Sequence, residues 1–218
     1  VIRYTYNANP HAALVSVITP CYNYCTSYLP ETVASIKAQT YPNVEHLVLH
    51  CNCGTDNPIY LPEARNRLVT AAKGEYILPL DADDKFLPEA ASEMAKYIPH
   101  VDVVSCQQAE FGDRVYHYGN PAYNMLTFGG FLLANRIHCA SLFRKALWKE
   151  IGGYDEALYE AYEDWDFWLR CAKAGKRFFV IPQALFLYRR HAGSLTARVG
   201  ENNAMAKFRA KWPLRIPA

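Results

Sequence analysis

Residues 75–84 read Glu75-Tyr76-Ile77-Leu78-Pro79-Leu80-Asp81-Ala82-Asp83-Asp84, an apolar run that delivers three carboxylates within four positions. Residues 75–80 have the make-up of a buried strand, which puts the acids at its carboxyl end. Upstream, residues 14–19 (LVSVIT) are a continuous apolar, β-branched run ended by Pro20, and residues 44–49 (VEHLVL) are a second. Helical patterns lie between these strands. Residues 30–39 open with Pro30 and carry Val33, Ile36 and Lys37 at helical spacing. Residues 62–73 place Ala64, Leu68, Ala71 and Ala72 on one side and stop at Gly74. Residues 88–97 read as a helix opened by Pro88, and residues 101–106 (VDVVSC) as a fourth strand. This β-α-β-α-β-α-β order predicts a parallel, helix-covered α/β sheet that takes ligands beyond the carboxyl ends of its strands.

The second half is built differently. Residues 107–143 hold short aromatic, strand-like pieces with no clear helix. Residues 145–151 form a short helix broken by Gly152-Gly153, and residues 162–174 a strong one carrying Trp165, Trp168, Leu169 and Ala172. Residues 177–181 and 185–190 read as two strands, and residues 201–212 as a final helix with a basic end. The whole fits one domain of 218 residues. It divides into residues 14–106, residues 107–197, a smaller mixed β region, and residues 198–218, a C-terminal helix and tail.

Composition narrows the function classes. Hydrophobic residues are 51% and charged residues 20%, enough for a full core, so disorder is excluded. The net charge of +2 implies no global pull toward nucleic acid. The apolar runs are too short to span a bilayer. The start, Val1-Ile2-Arg3-Tyr4, lacks a signal-peptide pattern and an initiator Met, which fits a chain processed or cut from a longer one. Seven Cys, an odd number, fits reduced thiols in a cytoplasmic setting, if necessary at the cytoplasmic face of a membrane. Cys21, Cys25, Cys51 and Cys53 would meet at neighbouring strand ends, as a zinc site or disulfide or, more simply, as small buried hydrophobes.

The acidic tip admits two readings. Three adjacent carboxylates repel, and a hard divalent cation, Mg2+ or Mn2+, is the simplest resolution, with phosphate oxygens and water completing its shell. The alternative is a solvated turn with a helix N-cap, since Asp84 lies shortly before Pro88.

Several spaced motifs in this chain together resemble glycosyltransferase family 2, inverting enzymes of the GT-A fold. They are Val15-Ser16-Val17-Ile18-Thr19-Pro20-Cys21-Tyr22-Asn23, Thr40-Tyr41-Pro42-Asn43-Val44-Glu45, Ala64-Arg65-Asn66, and Leu80-Asp81-Ala82-Asp83-Asp84. Further on come Ile151-Gly152-Gly153-Tyr154-Asp155-Glu156, Tyr162-Glu163-Asp164-Trp165-Asp166-Phe167-Trp168, Tyr188-Arg189-Arg190-His191 and Ser194-Leu195-Thr196. The resemblance implies a Rossmann-like, mostly parallel sheet flanked by helices and a nucleoside-diphosphate-sugar donor, with 14–106 as the nucleotide-sugar-binding half and 107–197 as the acceptor and catalytic half. Pro20 and Tyr22 would hold the base and Arg65 the base or diphosphate. Asp81 would contact the ribose or metal shell, with Ala82 beside it, and Asp83 would ligate Mn2+ or Mg2+. His191 would lie close to that metal or the diphosphate, and Asp164 would be the catalytic base. One departure stands out. Where the family has two Asp after the second strand, this chain has His50-Cys51-Asn52-Cys53, so His50 or Asn52 would meet the base and uridine is expected from family habit alone.

Each of these residues also has a plainer reading. Asp164 would offset a helix dipole, as Glu163 and Asp166 do more readily, and His191 would be a surface histidine. Trp165 would be a sugar platform or core, Trp168 and Leu169 core, and at most one of Arg189 and Arg190 would face phosphates. The expected chemistry is inverting transfer from a nucleoside-diphosphate sugar, with UDP-sugar favoured, to a hydroxyl on a glycan, lipid-linked or protein-linked acceptor. Other outcomes are a non-catalytic nucleotide-sugar-binding module or the catalytic fragment of a larger polysaccharide-synthesising enzyme. None of the 11 Gly forms a G-x-G, against a dinucleotide-binding dehydrogenase, and the loop after the first strand has no Gly, against a nucleotidyltransferase. The basic-aromatic residues 207–215 read as a solvated capping helix, with weak peripheral membrane contact as the lesser reading.

Overall fold

The computed structural model describes residues 1–51, 58–113, 125–159, 161–192 and 201–214. Eight strands form one mixed sheet. They are β1 (Ile2–Tyr6), β2 (Val15–Tyr22), β3 (Val44–Cys51), β4 (Tyr76–Pro79), β5 (Lys85–Phe86), β6 (Val103–Gly112), β7 (Leu142–Arg144) and β8 (Phe178–Arg190). Their order is β1-β3-β2-β4-β7-β6-β8-β5. β2 runs parallel to β3 and β4, and β6 parallel to β8, while β1, β5 and β7 pair antiparallel.

The helices are α1 (Leu29–Lys37), α2 (Leu61–Ala71), α3 (Ala90–Tyr97), α4 (Phe128–Leu133), α5 (Lys145–Ile151), α6 (Glu163–Lys173) and α7 (Glu201–Lys211). Alternation along the strands sends successive side chains to opposite layers. Ile18, Ile77, Val103 and Phe143 join Leu68, Leu147, Phe167, Trp168 and Phe208 on one face, under α2, α5, α6 and α7. Val15, Val17, Leu78, Val104 and Leu142 join Ile36, Ala91 and Met94 on the other, under α1 and α3.

Local differences from the sequence pattern have identifiable causes. Pro20 lies inside β2 instead of ending it, opposite Leu49 of β3. Ile18 O accepts from Leu80 N on the β4 side, so Pro20, two residues on, presents its missing N–H to that same side. The β2–β4 pairing has ended by then, so no ladder bond is lost. The two strands expected in 177–181 and 185–190 are one long strand, Phe178–Arg190, because Pro182-Gln183 sit in a register shift that lets β8 continue along β6. The short helix α4 within residues 107–143 carried two glycines, Gly129 and Gly130, and gave no periodic pattern. Cys21, Cys25 and Cys51 are buried, the first two packed with Val48 and Ala82, and among the described residues no group of His, Cys, Asp or Glu is placed to hold a metal, while Cys53 lies outside them.

Buried Glu45 fastens the start of this sheet. Its Oε1 accepts from Ser16 Oγ at 2.6 Å and from the backbone N–H groups of Lys73 and Gly74, at 2.6 and 3.2 Å. Its Oε2 meets Arg3 of β1. Gly74 is required here, since a Cβ would lie 2.4 Å from Ser16 Oγ and 2.6 Å from Leu14 O. Glu45→Ala takes this acceptor from the Ser16 hydroxyl and the Lys73 N–H, while the Gly74 N–H keeps Ser16 Oγ at 2.8 Å, and should lower stability by about 2 kcal/mol. Urea denaturation midpoints check it, and an unchanged midpoint would show that water replaces the carboxylate without cost.

Candidate active site

β2, β3 and β4 run parallel with their carboxyl ends on one side of the sheet, and the sequence-predicted donor residues lie on that side. Pro20 pairs with Leu49, Cys21 with His50 and Tyr22 with Cys51, which puts Pro20, Tyr22 and His50 side by side at the carboxyl ends of β2 and β3. Asn52 falls outside the described residues. The acidic tip follows β4. Its backbone is clasped from α1, where buried Thr32 Oγ1 lies 2.8 Å from both Ala82 O and Asp84 O. Ala82 is itself buried, so it shapes the turn through its backbone.

The three acids have separate partners. Asp81 Oδ1 accepts from Arg65 at 2.8 Å, and its Oδ2 from the Cys139 thiol at 3.6 Å. Asp83 Oδ2 accepts from His191 Nε2 at 2.9 Å and from the Cys25 thiol at 3.6 Å. Asp84 is buried and accepts the Arg189 N–H at 2.8 Å. Burial, with the Asp83 and Asp81 charges, pushes its carboxyl well above the usual range. Asp84 is therefore neither exposed nor an N-cap for α3, and it ties the turn to β8. Arg189 donates from Nε to Asp83 O at 2.7 Å, pairs with Glu31 at 2.9 Å, and lies between the rings of Tyr28 and Phe111. Arg190 pairs instead with Glu110, so the two arginines do diverge.

Arg65 is the junction between the two halves. Its side chain is 1% exposed, and its two terminal nitrogens meet Asp81 and Glu163, the first residue of α6. Both carboxylates hold the guanidinium charged, against burial. Burial pushes Glu163 up to about 7, opposed by Arg65. Asp164 follows, half-buried, its Oδ1 accepting from Trp165 N at 2.7 Å and its Oδ2 from Asn135 Nδ2 at 3.1 Å. Burial raises its carboxyl too, against Arg65 and these two hydrogen bonds. Tyr162, just before this acid pair, has φ of 68°, a conformation unusual for a bulky residue and one that functional sites often hold.

Neighbouring residues have structural roles. Trp165 is core, not a sugar platform: it is buried, donates to Phe131 O at 2.6 Å and packs on Phe208. Asp166 does more than offset the helix dipole, for it accepts from Arg170 at 2.8 Å, pairs with Lys211 at 2.6 Å and accepts from Trp212 at 2.8 Å. Asn66 satisfies its whole amide against Trp148, Tyr154 and Glu156, which holds the Gly152-Gly153-Tyr154 bend against α2. Asn135 and Cys139 were missed in the sequence, being single residues in the segment without periodicity. Glu163 and Arg189 were visible as charges, but their partners were not.

A model of glycosyl transferase family 2 matches residues 16–58 and 55–152, and one of a glycosyltransferase-like family 2 matches residues 122–211. The chain belongs to glycosyl transferase family 2. An uncharacterized glycosyltransferase of Methanocaldococcus jannaschii is 26% identical over 211 residues, covering 81% of this chain and 70% of that protein. The fold is shared with S. aureus TarS 1–349 in complex with UDP-GlcNAc, with a TM-score of 0.67 and 21% identity over 84% of this chain and 60% of that one. It is also shared with the mannosyltransferase PcManGT of Pyrobaculum calidifontis in complex with GDP-Man and Mn2+, with a TM-score of 0.62 and 20% identity over 79% and 56% of the two chains. These likenesses establish an α/β GT-A architecture. The chain spans 23% of a Sinorhizobium fredii relative and about 60% of the TarS fragment.

Arg65→Met removes the shared counter-charge of Asp81 and Glu163 and should cost about 3 kcal/mol at pH 8. The loss should shrink as pH falls through 7, because Glu163, already raised to about 7, then takes up a proton and needs no partner. Denaturation at pH 8 and pH 5.5 measures this, and a pH-independent loss would show that Arg65 does not neutralise Glu163.

Proposed function

We propose that the chain is the catalytic domain of an inverting glycosyltransferase, moving a sugar from a nucleoside-diphosphate sugar to a hydroxyl acceptor. One observation carries the reading: Arg65 grips Asp81 beyond β4 and Glu163 on α6 at once, so the acidic tip and the Asp164 carboxylate face one site. The neighbours in complex with UDP-GlcNAc and GDP-Man support a nucleotide-sugar donor, with UDP the favoured nucleotide.

A divalent cation fits the residues at the tip. Asp83 and His191 are a carboxylate and an imidazole 2.9 Å apart, and the described contacts of the Asp83 carboxylate both fall on Oδ2. That donor pair suits Mn2+, or Mg2+ through the carboxylate, with diphosphate oxygens and water as further ligands. When bound, the cation would stabilise the negative charge of the departing nucleoside diphosphate. Arg65 acts through Asp81, fixing its carboxylate toward the ribose. Pro20, Tyr22 and His50 border the base. Asp164 takes the proton of the acceptor hydroxyl, whose oxygen attacks the anomeric carbon from the side opposite the leaving group. The raised position of the Asp164 carboxyl suits a base working near neutral pH.

Nucleoside diphosphates should raise the melting temperature in the presence of Mn2+, by the equivalent of about 2.7 kcal/mol at 100 times the dissociation constant. Asp83→Asn should lose the metal-dependent part of that gain. Asp164→Asn should keep it while donor hydrolysis or transfer falls by about 10²–10⁴-fold. Full turnover by Asp164→Asn would remove it from the base role, and nucleotide binding without any donor cleavage would leave a binding module.

A further inference from the structure

We propose that Asn135 is a positioning residue for Asp164, which orients the carboxylate and keeps it ionised. The proposal rests on Asp164 being the base. Asn135 donates from Nδ2 to Asp164 Oδ2 at 3.1 Å, while Trp165 N–H holds Oδ1 at 2.7 Å. With both oxygens anchored, the carboxylate plane is fixed relative to α6. The amide orientation follows from the same contact, since a carboxylate accepts and cannot face Oδ1. That leaves Asn135 Oδ1 buried with no partner among the described residues.

The segment that carries Asn135 is itself pinned. It follows the six-residue helix α4, whose terminal carbonyls are met by side-chain donors, with Gly130 O also accepting from Ala134 N at 3.3 Å. Gly130 O accepts from Arg136 Nε at 2.9 Å, Phe131 O from Trp165 Nε1 at 2.6 Å, and Leu132 O from Arg209 at 2.9 Å. Two of these donors come from α6 and α7, so α4 and α6 form one body and the Asn135–Asp164 distance is set by both ends. Trp165, the residue after Asp164, contributes one of them.

The charge balance around Asp164 shows what the amide adds. Arg65 of α2 favours the ionised carboxylate, whereas Asp81 after β4 opposes it. Glu163 on α6 lies beside it, and Cys139 and Tyr154 from the segments before β7 and after α5 also face it. Arg65 is shared with Asp81 and Glu163. The Asn135 hydrogen bond is a stabilising contact that Asp164 does not divide with another acid.

The test follows Asp164 directly by carbon-13 NMR of the aspartate carboxyls in the apo protein, with Asp164→Asn assigning the resonance. In Asn135→Ala and in Asn135→Leu, which keeps bulk without a donor, the Asp164 midpoint should move to higher pH. Loss of a hydrogen bond to the charged form removes a contact that favours ionisation. With UDP-GlcNAc and Mn2+, the acid limb of donor hydrolysis should move up with it, leaving the rate up to about tenfold lower on that limb and close to wild type on the alkaline plateau. UDP binding should be unchanged. In the wild type, the Asn135 side-chain amide resonances should titrate in step with Asp164, a readout that needs no variant. An unmoved Asp164 midpoint in folded variants, or an Asn135 amide that ignores it, overturns the proposal. A hydrolysis limb that ignores a shifted Asp164 midpoint overturns the base assignment and leaves the coupling standing.

Discussion

A guanidinium buried between two carboxylates is the contact on which the site depends. Taking Arg65 out of water is expensive, and only closely matched counter-charges offset it. Asp81 supplies one from the tip of β4 and Glu163 the other from the start of α6. The arginine thus sets the position of one element of the second half against one of the first. Its chain neighbour Asn66 makes a parallel attachment, since its amide holds the Gly152–Tyr154 bend while Arg65 holds the acids. One turn of α2 therefore aligns both the tip of β4 and the approach to α6.

The acidic tip shows how like charges are placed side by side without collapse. Asp81 is neutralised by a guanidinium, Asp83 accepts from an imidazole, and Asp84 is withdrawn into the core, where burial favours its protonated form. The repulsion that pointed to a cation in the sequence is thus largely met by protein groups. What these groups leave at the tip is the Asp83–His191 pair, the donors proposed above for a cation.

The first half of the fold was legible because its strands are uninterrupted apolar runs and its helices carry Pro at one end and a consistent apolar side. The antiparallel members were not. β1 is an exposed edge strand with polar alternation, β5 has two residues, and β7 has three. Their pairing comes from tertiary position and not from local pattern. In the site, the family resemblance pointed to Asp81, Asp83, Asp164 and His191. It gave no sign of which groups neutralise them, because Arg65–Glu163 and Asn135–Asp164 span 98 and 29 residues of chain.

The C-terminal helix makes the same point from the opposite direction. As a sequence, its mixture of Lys, Arg, Phe and Trp suggested a solvated cap or a membrane-facing strip. In the structure these side chains turn inward: Phe208 is fully buried, Trp212 donates to Asp166, Lys211 pairs with Asp155 and Asp166, and Arg209 caps α4. Asp166 is two residues beyond Asp164, and α4 leads into Asn135. A helix remote in sequence from the acids therefore fixes both the backbone that carries the carboxylate and the segment that carries its amide partner. Geometry at Asp164 is a property of three helices packed together, which is why no single motif could have disclosed it.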